Sequence, residues 1–203
     1  MTVPVFVSAA VEGPSDEAVL RRILGARGAE IHRVQVQNGK PNLRRALPGY
    51  NEAAKRDPWL VLVDLDREFD CPPLLVEEWL PKPSPHMRFR VVVRQIESWL
   101  LADAERFSEF FSVRGLVPVD PDDLPDSKDA LLDVIRRSHR KAIRDDMLPR
   151  AGSGRRVGAA YTSRLIEFAS DSARGWRPDA AAIHSPSLAR CLQRLDELLD
   201  AQS

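Results

Sequence analysis

Four strand-like runs punctuate the first hundred residues, and segments with helical spacing fill the intervals between them. The runs cover roughly 3–11, 30–37, 59–65 and 88–94, each short enough for a strand. Strand and helix alternating in this way form a βαβ succession, which predicts a largely parallel sheet. The run Trp59-Leu60-Val61-Leu62-Val63 is almost unbroken in its apolarity, as a central strand covered on both faces requires. The first helix is predicted from Pro14, whose missing N–H costs little in a first turn, with Ser15 or Asp16 as cap. Ala18, Val19, Leu20, Ile23 and Leu24 form its buried stripe, and Gly25 and Gly28 bracket its end.

Beyond Glu97 the pattern changes. Residues 98–111 read as one apolar helical stretch, 117–126 as a Pro/Asp-rich loop, and 127–148, 157–170 and 187–201 as helical segments parted by Gly-containing breaks at 151–154 and 175–178. The expected architecture is α/β: residues 1–103 form a mostly parallel sheet of about four strands flanked by helices. Residues 104–203 then form a mainly helical region packed on that core, the two making one compact unit.

Two of the strand-like runs end in acids. Glu12 follows the first, in Glu12-Gly13-Pro14-Ser15-Asp16, and Asp64 and Asp66 close the third as Asp-Leu-Asp. Residues two apart on an extended chain project to the same side, so Asp64 and Asp66 are expected to grip one ion together. If the strands lie side by side in a parallel sheet, their carboxyl ends share one crevice, where open α/β sheets bind ligands. Hard oxygen donors favour Mg²⁺ or Mn²⁺. Asp16 in a first helical turn is either a further ligand or a cap that offsets the helix dipole. Glu97, at the end of the fourth strand and the head of a helix, can enter the same crevice or serve as an N-terminal helix acid. Asp103 is expected to be a structural partner.

These residues carry a resemblance. A glutamate and glycine after the first strand with Asp-x-Asp after the third resembles the Toprim domain of topoisomerases, primases and OLD-type nucleases. Glu12-Gly13-Pro14-Ser15-Asp16-Glu17 before an apolar helix is similar to the opening of the OLD-type nucleases. Val91-Val92-Val93-Arg94-Gln95-Ile96-Glu97-Ser98-Trp99-Leu100-Leu101-Ala102-Asp103 and Ser185-Pro186-Ser187-Leu188 resemble segments of the small bacterial Toprim-like proteins grouped as DUF4276. The resemblance implies a metal-dependent nuclease of bacterial defence or DNA processing. In it Glu12, Asp16, Asp64 and Asp66 would hold Mg²⁺ or Mn²⁺, and Glu97 would orient a water or support a second ion. The alternatives to it are a noncatalytic sensor subunit working with a separate ATPase partner, or a hydrolase of small phosphate esters.

Charge adds a restraint. The 203 residues hold 30 basic and 30 acidic side chains, so any attraction to nucleic acid must come from a local patch. Lys40, in the loop after the second strand, is one candidate phosphate contact, although a loop lysine is usually just solvated. Arg140 and Lys141, within the basic run 136–144, are others, although Asp145 and Asp146 adjoin them and an internal charge network is the plainer expectation. Gly152-Ser153-Gly154-Arg155-Arg156 lacks the Gly-Lys-Ser/Thr of a phosphate-binding Walker loop. The four histidines show no zinc spacing, and Cys71 and Cys191 stand far apart, as reduced packing or surface residues do. Neither Tyr50 nor Tyr161 sits in the context of a topoisomerase nucleophile. No run approaches the ~20 apolar residues of a bilayer crossing, and the chain opens without a leader pattern, so a cytoplasmic protein that avoids membranes is expected.

Overall fold

The computed structural model describes residues 4–202. Its strands are β1 (Phe6–Val11), β2 (Glu30–Val36), β3 (Trp59–Asp64) and β4 (Met87–Val92), joined by α1 (Pro14–Ala26), α2 (Lys40–Ala53) and α3 (Pro72–Trp79). The remaining helices are α4 (Ile96–Leu101), α5 (Ala104–Phe111), α6 (Ser127–Ile135), α7 (Lys141–Met147), α8 (Tyr161–Ser170), α9 (Pro178–Ala182) and α10 (Pro186–Asp200). All strand pairs are parallel, in the order β2-β1-β3-β4. The α/β architecture with a helical second half is therefore as the hydrophobic pattern implies. No strand follows β4 among the described residues, and no helix there is long and apolar enough to cross a membrane.

Alternation along the strands sorts side chains onto two faces. Val7, Ala9 and Val11 of β1, Leu60 and Leu62 of β3, and Val92 join one apolar cluster with α1 and the helices from α4 onward. Ala10, Trp59, Val61, Val63, Met87, Phe89 and Val91 face the other way, against Leu43, Leu47 and Leu75 of α2 and α3. The second half of the chain thus completes the core of the first.

Three finer expectations change. The helical stretch 98–111 is two helices, because Asp103 caps α5 by accepting from the Arg106 N–H and so breaks the run. The stretch 127–148 is likewise α6 and α7, parted at Ser138, whose hydroxyl donates to the Phe111 carbonyl at 2.6 Å. Lys40 lies not in a loop but at the head of α2, and it is buried.

The Trp99–Asp103 segment is fixed to the C-terminal helices by polar contacts in the core. Trp99 Nε1 donates to Ser187 Oγ at 2.7 Å, and Trp176 Nε1 donates to the Trp99 carbonyl at 2.8 Å. Asp103 accepts from the Arg177 backbone N–H and from two nitrogens of its guanidinium, at 2.7–3.0 Å. Both cysteines are free. Burial pushes the Cys191 thiol up to about 12, which suits an inert packing residue.

Candidate metal centre at the carboxyl edge of the sheet

Parallel pairing delivers the last residues of β1, β3 and β4 to one edge, and each is followed by acids. Glu12 leaves β1 beside β3, and its Oε1 accepts a hydrogen bond from the Asp64 backbone N–H at 2.9 Å. Asp16 sits in the first turn of α1 and turns back, so that its Oδ2 accepts from the Gly13 N–H at 2.7 Å. A side chain at position 13 would come within 3.3 Å of that oxygen, and the glycine leaves room for the bend. The capping role of Asp16 is therefore real, and it does not remove the residue from the acid group. Glu97 opens α4 and is only 2 % exposed.

Electrostatics shows how these acids feel one another. Burial, then the repulsion of Asp16, Glu12, Glu97 and Asp66, raises Asp64 well above the usual carboxylate range. Burial also pushes Glu12 up to about 7, against the Asp64 hydrogen bond and the Lys40 charge, which favour its ionised form. Asp16 is pushed up to about 7 as well, first by burial and then by Glu12. Four carboxyl groups from three strand ends thus form one interacting set.

Glu97 is positioned by groups far away in sequence. The Tyr161 hydroxyl donates to its Oε1 at 2.9 Å, and Lys128 Nζ lies 3.3 Å from the same oxygen. Its Oε2 is buried and has no hydrogen-bond partner among the described residues. Although burial opposes its charge, Lys128 has a raised pKa because Glu97 and Asp64 favour the ammonium. The Tyr161 phenol is raised well above its ordinary value, by burial and then by the Glu97 charge.

Asp66 is oriented differently from Asp64. The strand ends at Asp64, and Asp66 has a left-handed backbone with φ of 53°, so the same-side rule for extended chains no longer applies. Its carboxylate meets Lys40 Nζ at 3.1 Å and accepts from Gln95 Nε2 at 3.2 Å. Lys40 also reaches Glu68 at 3.0 Å. Arg94, beyond β4, is left-handed too, with φ of 56°. The two unusual residues lock together: the Asp66 N–H donates to the Arg94 carbonyl at 2.8 Å, and the Arg94 guanidinium donates to the Asp66 carbonyl at 3.0 Å. Non-glycine residues held there cost about 1–3 kcal/mol each and cluster where function fixes a loop.

Beside Asp66 opens a cleft of about 470 Å³ lined by Arg67, Glu68, Arg94, Gln95, Asp126 and Arg156. Arg67 and Arg156 both pair with Asp126, at 3.2 and 2.6 Å. Of the candidate phosphate contacts, Lys40 lies at this edge as an internal counter-ion. Lys141 pairs with Asp145, and Arg140 precedes α7, whose Asp146 is taken by Arg164; no contact among the described residues links either base to the acids.

Nothing in the sequence pattern marks Lys128, Tyr161 or Gln95 as parts of this site. Asp126-Ser127-Lys128-Asp129 does carry a helix-start signal, and Asp126 caps α6 by accepting from the Asp129 N–H at 2.9 Å. That signal places Lys128 in a first turn, but it does not reveal Glu97 as its neighbour.

The donor chemistry suits a hard divalent cation. Oxygen is the sole donor type, five carboxylates (Glu12, Asp16, Asp64, Asp66 and Glu97) meet two lysines, and the Glu97 Oε2 is buried without a partner. Among the described residues, no three Asp, Glu, His or Cys side chains already stand around one point as a finished ion cage. Side-chain rotation within a preset charge cluster would have to complete the coordination. Comparison with models of known protein families, with curated proteins and with solved structures finds nothing that matches this chain.

Proposed function

We propose that this protein is a Mg²⁺- or Mn²⁺-dependent phosphodiester hydrolase of Toprim type, acting on nucleic acid in the cytoplasm, in bacterial defence or DNA processing. The observation that carries the reading is the mutual repulsion of Glu12, Asp16, Asp64 and Glu97 at the carboxyl edge of a parallel sheet. Such a set is poised for a cation, since a bound ion would replace repulsion with attraction.

In this reading Asp64 and Glu12 are the central ligands, Asp16 supports them, and Glu97 presents its unpartnered oxygen to an ion or to a water. A bound ion would activate water and steady charge on the scissile phosphate. Tyr161 and Lys128 hold the other Glu97 oxygen, which fixes the direction of the free one. Lys40 holds Asp66 at the mouth, and Arg67, Arg94 and Arg156 line the adjoining cleft where a phosphate chain would approach.

A second reading draws on Lys40 and Lys128, which already act as counter-ions to Asp66 and Glu97. A cluster balanced in this way also suits a noncatalytic subunit that senses a cation or a phosphate ester and signals to an ATPase partner. One experiment separates the two. Purified protein is incubated with Mn²⁺ and plasmid, linear DNA, RNA or nucleotides, alongside Asp64→Asn. Cleavage by the wild type alone supports the hydrolase; metal binding without turnover of any substrate supports the sensor.

A further inference from the structure

A further cleft lies away from the acids, along the outer edge of β4. It holds about 750 Å³ between α3 and α10, with Pro72, Pro73, Val76 and Phe89 on its apolar side and Arg90 and Arg190 on the other. β4 is an edge strand, since among the described residues it pairs with β3 alone.

The hydrogen bonds fix which backbone groups face this cleft. Trp59 N–H donates to the His86 carbonyl at 2.9 Å, and Leu65 N–H to the Val92 carbonyl at 2.9 Å. In a parallel ladder the N–H and C=O of one residue point to the same side, and successive residues alternate. Even-numbered residues of β4 therefore serve β3, and Phe89 and Val91, both lining the cleft, turn their backbone groups outward.

The charges are equally one-sided. Arg90 meets the Cys191 thiol, its Nε is buried without a partner among the described residues, and burial lowers its pKa. Neither Arg90 nor Arg190 has an ion pair among the described residues, whereas their neighbour Arg194 is taken by Glu197 at 2.8 Å. Glu77 is the single acid on the cleft wall.

We infer that the outer edge of β4 receives an extended acidic peptide segment of a partner protein as an added strand. The outward groups of Phe89 and Val91 would pair with its backbone. Its alternate side chains would then fall on opposite sides, apolar residues against Pro72, Pro73 and Val76, and acidic residues against Arg90 and Arg190. Alternating acidic and apolar positions in the partner follow directly. Free strand edges are the usual templates for such pairing, and unpaired arginines supply the charge complementarity.

Fluorescence anisotropy with a labelled seven-residue peptide of alternating valine and glutamate tests this. Saturable binding to the wild-type protein is expected. Arg190→Glu, an exposed change that leaves the core intact, should weaken it about tenfold or more, the effect of losing one charge-assisted contact. Replacing glutamate by lysine, or methylating the peptide's backbone amides, should abolish binding, and the Phe89 and Val91 amide resonances should shift with the unmodified peptide. Absence of saturable binding would overturn the inference. So would unchanged affinity in Arg190→Glu, or equal binding of the methylated peptide, which would mark the cleft as a site for small anions instead.

Discussion

Tyr161 holds Glu97 across 64 residues of sequence: the phenol donates to Glu97 Oε1 at 2.9 Å, and both groups are buried. The bond joins the head of α8 to the head of α4 and leaves the second Glu97 oxygen without a partner. Removing the hydroxyl with Tyr161→Phe takes a donor from a buried carboxylate, which costs about 1–3 kcal/mol. Urea unfolding of the metal-free variant should show that loss, and Mn²⁺ should recover part of it by giving Glu97 a new partner.

Stability should fall as pH rises. Glu12 and Asp16 ordinarily titrate near 4.5 and 3.8, and in the folded protein both are pushed up to about 7. Between about pH 4 and pH 7 the unfolded chain therefore releases protons that the native state keeps. The contribution favouring the fold is fully present below the unfolded values and lost on passing pH 7. Every tenfold difference in proton affinity between the two states is worth about 1.4 kcal/mol. Chemical unfolding at pH 5 and pH 8 without metal should show the lower stability at pH 8, and millimolar Mg²⁺ should narrow the gap.

Asp64 and Asp66 should respond in opposite ways to neutralisation. Asp64 is surrounded by acids, so Asp64→Asn should leave the metal-free protein as stable as the wild type or more so, and abolish metal stabilisation. Asp66 pairs with Lys40 and Gln95, so Asp66→Asn should lower metal-free stability by about 1 kcal/mol. Thermal melts of both variants with and without Mn²⁺ read the difference.

The Asp103–Arg177 pair should matter to the fold and not to the ion. Asp103 is 3 % exposed and accepts three hydrogen bonds from Arg177, while the Arg177 guanidinium reaches solvent and Glu105, so Asp103→Ala should cost about 1–3 kcal/mol. The shift in melting temperature on adding Mn²⁺ should stay as large as in the wild type.

The parts of this arrangement that were legible in the sequence are those set by local pattern. The unbroken run Trp59–Val63 marks an interior strand, and the alternation of strands with helices implies a parallel sheet, which by itself brings Glu12, Asp64 and Glu97 to one edge. What stayed hidden depends on contacts across long separations or on single backbone angles. Nothing near Glu97 announces Tyr161 or Lys128, because both reach it only after α6 and α8 have packed over the sheet. The left-handed turn at Asp66 breaks the expected pairing with Asp64, and it is fixed by Arg94 just beyond the next strand, not by its own neighbours. Lys40 reads as solvated until the burial of the head of α2 beside Asp66 is known.

Calorimetric titration of the wild-type protein with Mn²⁺ at pH 7, in two buffers of different ionisation enthalpy, tests the metal centre most directly. With Glu12 and Asp16 pushed up to about 7, a cation binding among them must displace protons. The account predicts saturable binding, a buffer-dependent enthalpy that reports proton release, and loss of both in Asp64→Asn. No binding heat in either buffer, or a titration that Asp64→Asn leaves unchanged, would contradict it.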